Sequence, residues 1–95
     1  MLTKEEIDKV SAVLGALSHP TRIKILLITA ETKKPLHIKA IAKILKADYA
    51  AIYRHIEVLK KANLLEIYEV GRSRVLSPLR MGVINQIIQL TKELT

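Results

Sequence analysis

Two short amphipathic segments with almost no chain between them constrain this sequence most. Residues 38–46 place Ile38, Ile41, Ala42 and Leu45 at helical spacing, and residues 49–62 place Ile52, Ile56 and Leu59 at i, i+4 and i+7. Only Ala47 and Asp48 separate them, and Asp48 is a good N-cap for the second helix. Helix–short turn–helix is a common arrangement, so the positions inside it carry the argument. Counted from Ile38, the fifth residue is Ala42, small enough for two helices crossing at roughly 90–120° to approach closely. The fifteenth is Ile52, β-branched, which plugs the second helix onto the first. One position departs from the pattern: the turn site usually filled by glycine is Lys46. A positive φ there costs a non-glycine residue roughly 1–2 kcal/mol, unless the turn differs slightly.

Three more helices and a hairpin surround the pair. Thr3-Lys-Glu-Glu6 is a capping box, and Ile7, Val10, Leu14 and Leu17 follow on one face, predicting a helix over 4–17. Ser18-His19-Pro20 breaks it. Pro20 suits the first position of a new helix over 20–31, with Ile23, Leu26 and Leu27 inward and Ile25 and Ile28 widening the stripe. Lys33-Lys34-Pro35 is a connector and Leu36 a short strand residue. Asn63, which tolerates the left-handed conformation, ends the helix over 49–62. Residues 65–70 and 73–77 around Gly71-Arg72 read as a hairpin that Pro78 ends. Val83, Ile84, Ile87, Ile88 and Leu94 predict a last helix over 79–94. No repeat or linker divides the 95 residues, so one domain is expected, mainly α with a small β-hairpin. A domain of this size buries only about 60–70% of its unfolded-chain surface, and association with a second copy would supplement that.

Composition excludes several classes. With no cysteine, the chain is neither a disulfide-stapled scaffold nor a thiolate metal protein. At 49% hydrophobic it is no disordered basic tail. No apolar run approaches the roughly 18 residues of a membrane span, and the acidic, amphipathic N-terminus is unlike a signal peptide. Charge is unevenly placed. Residues 1–32 and 81–95 are each neutral, while 33–80 hold eleven basic residues against four acidic and carry the entire net charge of +7. This suggests an anionic partner such as nucleic acid, or else a solvated lysine-rich face.

Three stretches at this spacing resemble a known family. Ala16-Leu-Ser-His-Pro-Thr-Arg-Ile-Lys-Ile-Leu26, Ile38-Lys-Ala-Ile-Ala-Lys-Ile-Leu45 and Tyr53-Arg-His-Ile-Glu-Val-Leu-Lys-Lys-Ala-Asn-Leu-Leu65 are similar to the winged helix-turn-helix of the ArsR-like superfamily. The hairpin with Gly71-Arg72 matches its wing. The resemblance implies an α1-α2-(β1)-α3-α4-β2-β3-α5 order, with the helix-turn-helix over 38–62 and the wing over 64–77. It implies dimerisation through residues 1–17 and 79–95, and a cytoplasmic, nucleoid-associated regulator of transcription that binds double-stranded DNA, read as a repressor. Ile7, Val10, Leu14, Val83, Ile84, Ile87 and Ile88 are the expected dimer contacts.

In this docking mode the second helix of the pair enters the major groove. With Ile52 facing the core, Ala50, Arg54, Glu57 and Lys61 point away and Tyr53 lies on the flank. Arg54 is the base reader, since an arginine fork on guanine is the commonest specific contact. Tyr49 and Tyr53 offer hydroxyls to phosphate or rings to thymine methyls. Glu57 opposes phosphate unless it pairs with Lys61 at i+4. Lys39 and Lys46, on or just after the first helix of the pair, together with Arg72 and Arg74 at the hairpin tip, complete the expected contacts. Family members often carry Ser, Thr or Gln where Ala50 and Ala51 stand. Their absence points to weaker specificity, or to specificity carried by Arg54 and by DNA shape.

Relatives that sense metals use cysteines, or His and carboxylates on the last helix. Here cysteine is absent and the last helix has a single carboxylate, Glu93. His19 and His37 read as helix-start residues, and His55 as packed or close to DNA. No metal, cofactor or small-molecule effector is indicated. The serines lack a nearby base and no glycine-rich loop is present, so the chain is not read as an enzyme. Two other readings keep the fold: a weakly specific architectural chromatin protein, and a winged-helix protein-interaction module.

Overall fold

The structure, a computed structural model, describes residues 1–32 and 34–95; Lys33 of the connector lies outside them. Among the described residues the elements run α1 (Lys4–Leu17), α2 (Pro20–Glu31), β1 (Leu36–His37), α3 (Ile38–Ile44), α4 (Tyr49–Lys61), β2 (Leu65–Val70), β3 (Ser73–Pro78) and α5 (Met81–Lys92). Helix starts follow local chemistry. The Thr3 hydroxyl accepts from the Glu6 amide at 3.1 Å, and the Glu6 carboxylate accepts from the Thr3 amide at 2.9 Å, closing the capping box of α1. Pro20 opens α2 behind His19, whose Nδ1 accepts from the Thr21 amide at 3.1 Å. Asp48 caps α4 by accepting from the Ala51 amide at 3.3 Å.

The core is continuous across the chain. Ile52, Ile56 and Leu59 of α4 are fully buried against Ile41 of α3, Ile25 and Leu26 of α2, Leu65 and Leu76 of the sheet and Ile84 of α5. Ala42 is buried where α3 meets α4. The sheet order is β1-β3-β2, all antiparallel. Leu76 of β3 faces Leu36 on one side and Ile67 on the other, so the hairpin gains a short third strand. Positive φ values fall at Lys46 (52°), Asn63 (60°), Gly71 (62°) and Arg80 (54°), at the α3–α4 turn, the end of α4, the hairpin tip and the start of α5. Lys46 therefore takes the left-handed conformation without being glycine.

Several details differ from the sequence reading. The α2 stripe centres on Ile25, Leu26 and Thr29, with Leu27 exposed and Ile23 half-buried. The Thr29 hydroxyl donates back to the Ile25 and Leu26 carbonyls, which lets a polar residue occupy the inward face. Ile84, expected at a dimer contact, is 1% exposed within its own chain, because the start of α5 turns that face onto the core. Ile87 and Ile88 are half-buried, packed against the same core. Leu94 lies beyond α5 and is exposed. His37 holds the N-cap position of α3, as the sequence reading placed it, while also pairing with Val75 as a strand residue; its side chain makes no capping hydrogen bond.

One polar contact set joins the first two helices to α4. Arg22 donates from Nε to the Ala16 carbonyl at 2.7 Å and from Nη2 to the Gly15 carbonyl at 3.2 Å, at the end of α1, where the Gly15 carbonyl also accepts from the Ser18 hydroxyl and amide. Its Nη1 meets Nδ1 of His55 on α4 at 3.2 Å. The His55 ring also packs on His19, with centroids 4.4 Å apart. Burial, then the charges of His19, Arg22 and Arg54, hold His55 below the ordinary imidazole value of 6.5.

Two predictions follow from this geometry. Lys46→Gly relieves the left-handed strain and loses part of that gain to a more flexible unfolded chain. A net gain of roughly 0.5–1 kcal/mol should appear as a higher melting temperature. For His55, the unfolded chain binds the proton more readily than the folded one. Its contribution to stability is therefore present above about pH 6.5 and is lost as pH falls from there through the lower value of the folded state. Melting temperature should drop on acidification, and drop less in His55→Gln.

Candidate nucleic-acid interface

The exposed side of α4 and the β2–β3 hairpin form one continuous basic surface. It follows from the rotation of α4. Burying Ile52, Ile56 and Leu59 turns Ala50, Arg54, Glu57 and Lys61 to solvent and leaves Tyr53 half-buried at the edge. Tyr49 stands one turn before Tyr53, with ring centroids 6.3 Å apart and planes inclined by 23°. Arg74 reaches from β3 to this pair. It donates from Nη1 to the Tyr53 hydroxyl at 2.8 Å, and its guanidinium carbon lies 5.3 Å from the centre of the ring. This joins the wing to the flank of α4.

Two shallow depressions meet along this seam. The first, about 410 Å³, is bounded by Tyr49, Ala50, Tyr53, Arg54 and Arg74. The second, about 330 Å³, is bounded by His37, Lys39, Tyr49, Arg72, Ser73 and Arg74, with Ile38 beneath. Lys39, Tyr49, Ala50, Tyr53, Arg54, Arg72 and Arg74 of the sequence reading are thus brought to one surface. Lys46 and Lys61 border neither depression. Lys46 sits in the α3–α4 turn, and Lys61 in the last turn of α4, where a cation also complements the helix dipole. Glu57 and Lys61 form no ion pair; among the described residues the pair within 4 Å is Lys9–Glu5, at 3.1 Å.

The sequence reading expected neither His37, a helix-start residue, nor Ser73 at this surface. Both border the second depression because β1 pairs with β3, and that pairing has no local signature in a two-residue strand. The link from Arg74 to Tyr53 was equally hidden, since the partners are 21 residues apart. The two arginines therefore differ. Among the described residues Arg72, at the hairpin turn, has no hydrogen-bond or ion-pair partner, whereas Arg74 is already held by a protein acceptor.

A hollow of about 310 Å³ lies on another part of the molecule, where Leu14 and Leu17 of α1 approach Ile23 of α2 and Ile87 and Ile88 of α5. Beside it, Ile7, Val10, Val83 and Leu90 are exposed. Residues 1–12 are all exposed although α1 starts at Lys4. A helix of this length is marginal in water without a surface to pack on.

Among the described residues no helix is long and apolar enough to cross a membrane, and no three His, Asp or Glu side chains converge as metal ligands would. No curated protein matches the chain in sequence. Solved structures do match in fold. The homodimeric winged helix-turn-helix DNA-binding domain Mb0332 of Mycobacterium bovis superposes with a TM-score of 0.78 at 21% identity, over 92% of this chain and 81% of that one. NolR of Sinorhizobium fredii gives 0.78 at 21% identity, over 97% and 93%. An ArsR-like transcriptional regulator from Rhodococcus gives 0.75 at 24% identity, over 96% and 82%. The fold is therefore the winged helix-turn-helix, with α3 and α4 as the helix pair and β2–β3 as the wing. A family model described as a helix-turn-helix domain matches residues 17–68, more than half of the sequence, and the chain belongs to that family.

Proposed function

We propose that this protein is a homodimeric transcription regulator that binds double-stranded DNA. Helix α4 enters the major groove and the wing lies on the backbone or in the minor groove. The convergence of Arg54, Arg72 and Lys39 with Tyr49 and Tyr53 on one exposed surface carries this reading. The charge distribution agrees: residues 33–80, which hold α3, α4 and the wing, carry the whole net charge. Arg54 is the base reader, while Arg72, Lys39 and the tyrosine hydroxyls hold phosphates. Arg74 is assigned a double part, bracing the wing on Tyr53 and adding charge at the seam. Binding, not catalysis, is the activity, and occlusion of a promoter is the proposed mode, on the nucleoid in the cytoplasm.

A second copy is the proposed cover for the outer faces of α1 and α5, through Ile7, Val10, Leu14 and Val83, with Ile87 and Ile88 at the edge of the hollow. Two observations support it: the uncovered start of α1 and the apolar hollow at the end of the same helix. The Mycobacterium bovis neighbour is itself homodimeric. A two-fold pair presents two α4 helices, and its DNA site is a pseudo-palindrome with half-sites about 34 Å apart. Ala50 and Ala51 favour one competing reading. They put no donor or acceptor in the first turn of α4, as a weakly specific architectural protein would.

Selection on random duplexes, followed by shift assays across salt, tests the DNA reading. Arg54→Ala should relax preference at one base position by about 1–3 kcal/mol. Arg72→Ala should weaken all sequences alike and shrink the salt slope by about one. Arg74→Ala should lower the melting temperature as well as affinity, whereas Arg72→Ala should leave melting unchanged. Tight binding with no shared motif in the selected pool would replace the regulator with the architectural protein.

Sedimentation tests the dimer. The wild type should sediment as a dimer at tens of micromolar, and Ile7→Glu with Val10→Glu as a folded monomer. A monomeric wild type would remove the palindrome as well.

A further inference from the structure

The contact between Arg22 and His55 has a consequence that neither residue suggests alone. A guanidinium carries donors only and stays protonated. Its approach to His55 Nδ1 at 3.2 Å therefore needs the lone pair of that nitrogen, and so the neutral imidazole with its proton on Nε2. Protonation puts a second donor against the first and a second positive charge beside it. The groups acting on the ring are His19, tilted over it by 48°, Arg22 from α2, and Arg54, its own neighbour on α4. None of these is a carboxylate that would compensate. From α1 come the Gly15 and Ala16 carbonyls, which both accept from Arg22, Gly15 sharing its oxygen with the Ser18 hydroxyl and amide. One side chain thus grips the end of α1 with two nitrogens and α4 with the third.

We infer that Arg22 and His55 act as positioning residues for α4, tying its placement to that of α1 only while His55 is neutral. Arg54, the proposed base reader, immediately precedes His55 on α4, and the stripe proposed to pair with a second copy lies on the α1 side. The link therefore joins the dimer surface to the DNA surface. Its effect on binding rests on the DNA reading, but the coupling itself does not.

The sign of the pH effect discriminates. Added positive charge near a DNA surface strengthens binding by simple electrostatics. Loss of the Arg22–His55 contact misplaces α4 and weakens it. Burial and the neighbouring charges hold His55 below 6.5, so the change falls on the acid side of that value.

The test has two arms on the full chain, with circular dichroism confirming the fold at each pH. In the first, amide shifts are followed by NMR without DNA from about pH 7.5 to about pH 5. Amides of Gly15, Ala16 and Leu17 should titrate on the same curve as the His55 ring. In Arg22→Gln the ring should still titrate while those amides no longer follow. His55→Gln keeps a non-titrating acceptor, so it should abolish the response with the fold intact. Amides at the end of α1 that ignore the His55 ring in the wild type would overturn the coupling.

In the second arm, affinity for the selected duplex is measured at constant salt. Wild-type affinity should fall about fivefold or more on acidification, the low end of typical coupling between sites. His55→Gln should remove that fall. Unchanged or rising wild-type affinity overturns the effect on DNA. No binding at any pH, with the amides still titrating together, would refute the DNA reading and leave the coupling supported.

Discussion

The seating of α4 is the constraint on which the rest of the molecule depends. Ile52, Ile56 and Leu59 have no exposed surface, and they meet α2, α3, the sheet and α5 at one place. A helix held by three buried side chains on one face cannot rotate without exposing apolar surface. Each of those side chains is worth about 1.5–3 kcal/mol when buried. That fixed rotation sends Arg54 and Ala50 outward and sets Tyr53 at the edge. The proposed binding surface is therefore a by-product of core packing.

The wing would be a weak element alone, since a two-stranded hairpin is marginal in water. Three contacts anchor it. Val75 and Leu76 are buried, β1 pairs along β3, and Arg74 holds the Tyr53 hydroxyl. The last contact matters most for the proposed function. It commits Arg74 to a protein acceptor, leaves Arg72 at the tip without a partner among the described residues, and ties the wing to α4. On the opposite side Arg22 holds α4 to the end of α1. Two arginines thus brace α4 from either flank, one through a tyrosine and one through a histidine.

Distribution of charge and apolar surface divides the molecule. The basic residues gather in the central segment, which folds as α3, α4 and wing, and the neutral termini carry the uncovered apolar side chains of α1 and α5. Ile84 shows that the division is not absolute. The same helix that offers Val83 outward turns Ile84 into its own core.

Local signals in the sequence determined the helix pair, the caps at Thr3, His19 and Asp48, the left-handed reversal at Asn63, and the hairpin. Each depends on residues within a few positions of one another, so periodicity and capping chemistry suffice to read it. The outward set on α4 was legible for the same reason, because helical spacing from Ile52 fixes it. Tertiary structure alone decided the rest. The centre of α2 moved to Ile25, Leu26 and Thr29, because a helix apolar on most sides is oriented by what packs on it and not by its own pattern. His37 became a strand residue beside Lys39 through pairing with a strand far along the chain. Arg74 and Arg22, indistinguishable in sequence from other surface cations, acquired separate partners in Tyr53 and His55. Such polar contacts depend on where distant segments come to rest, and no spacing rule encodes that before the core has formed.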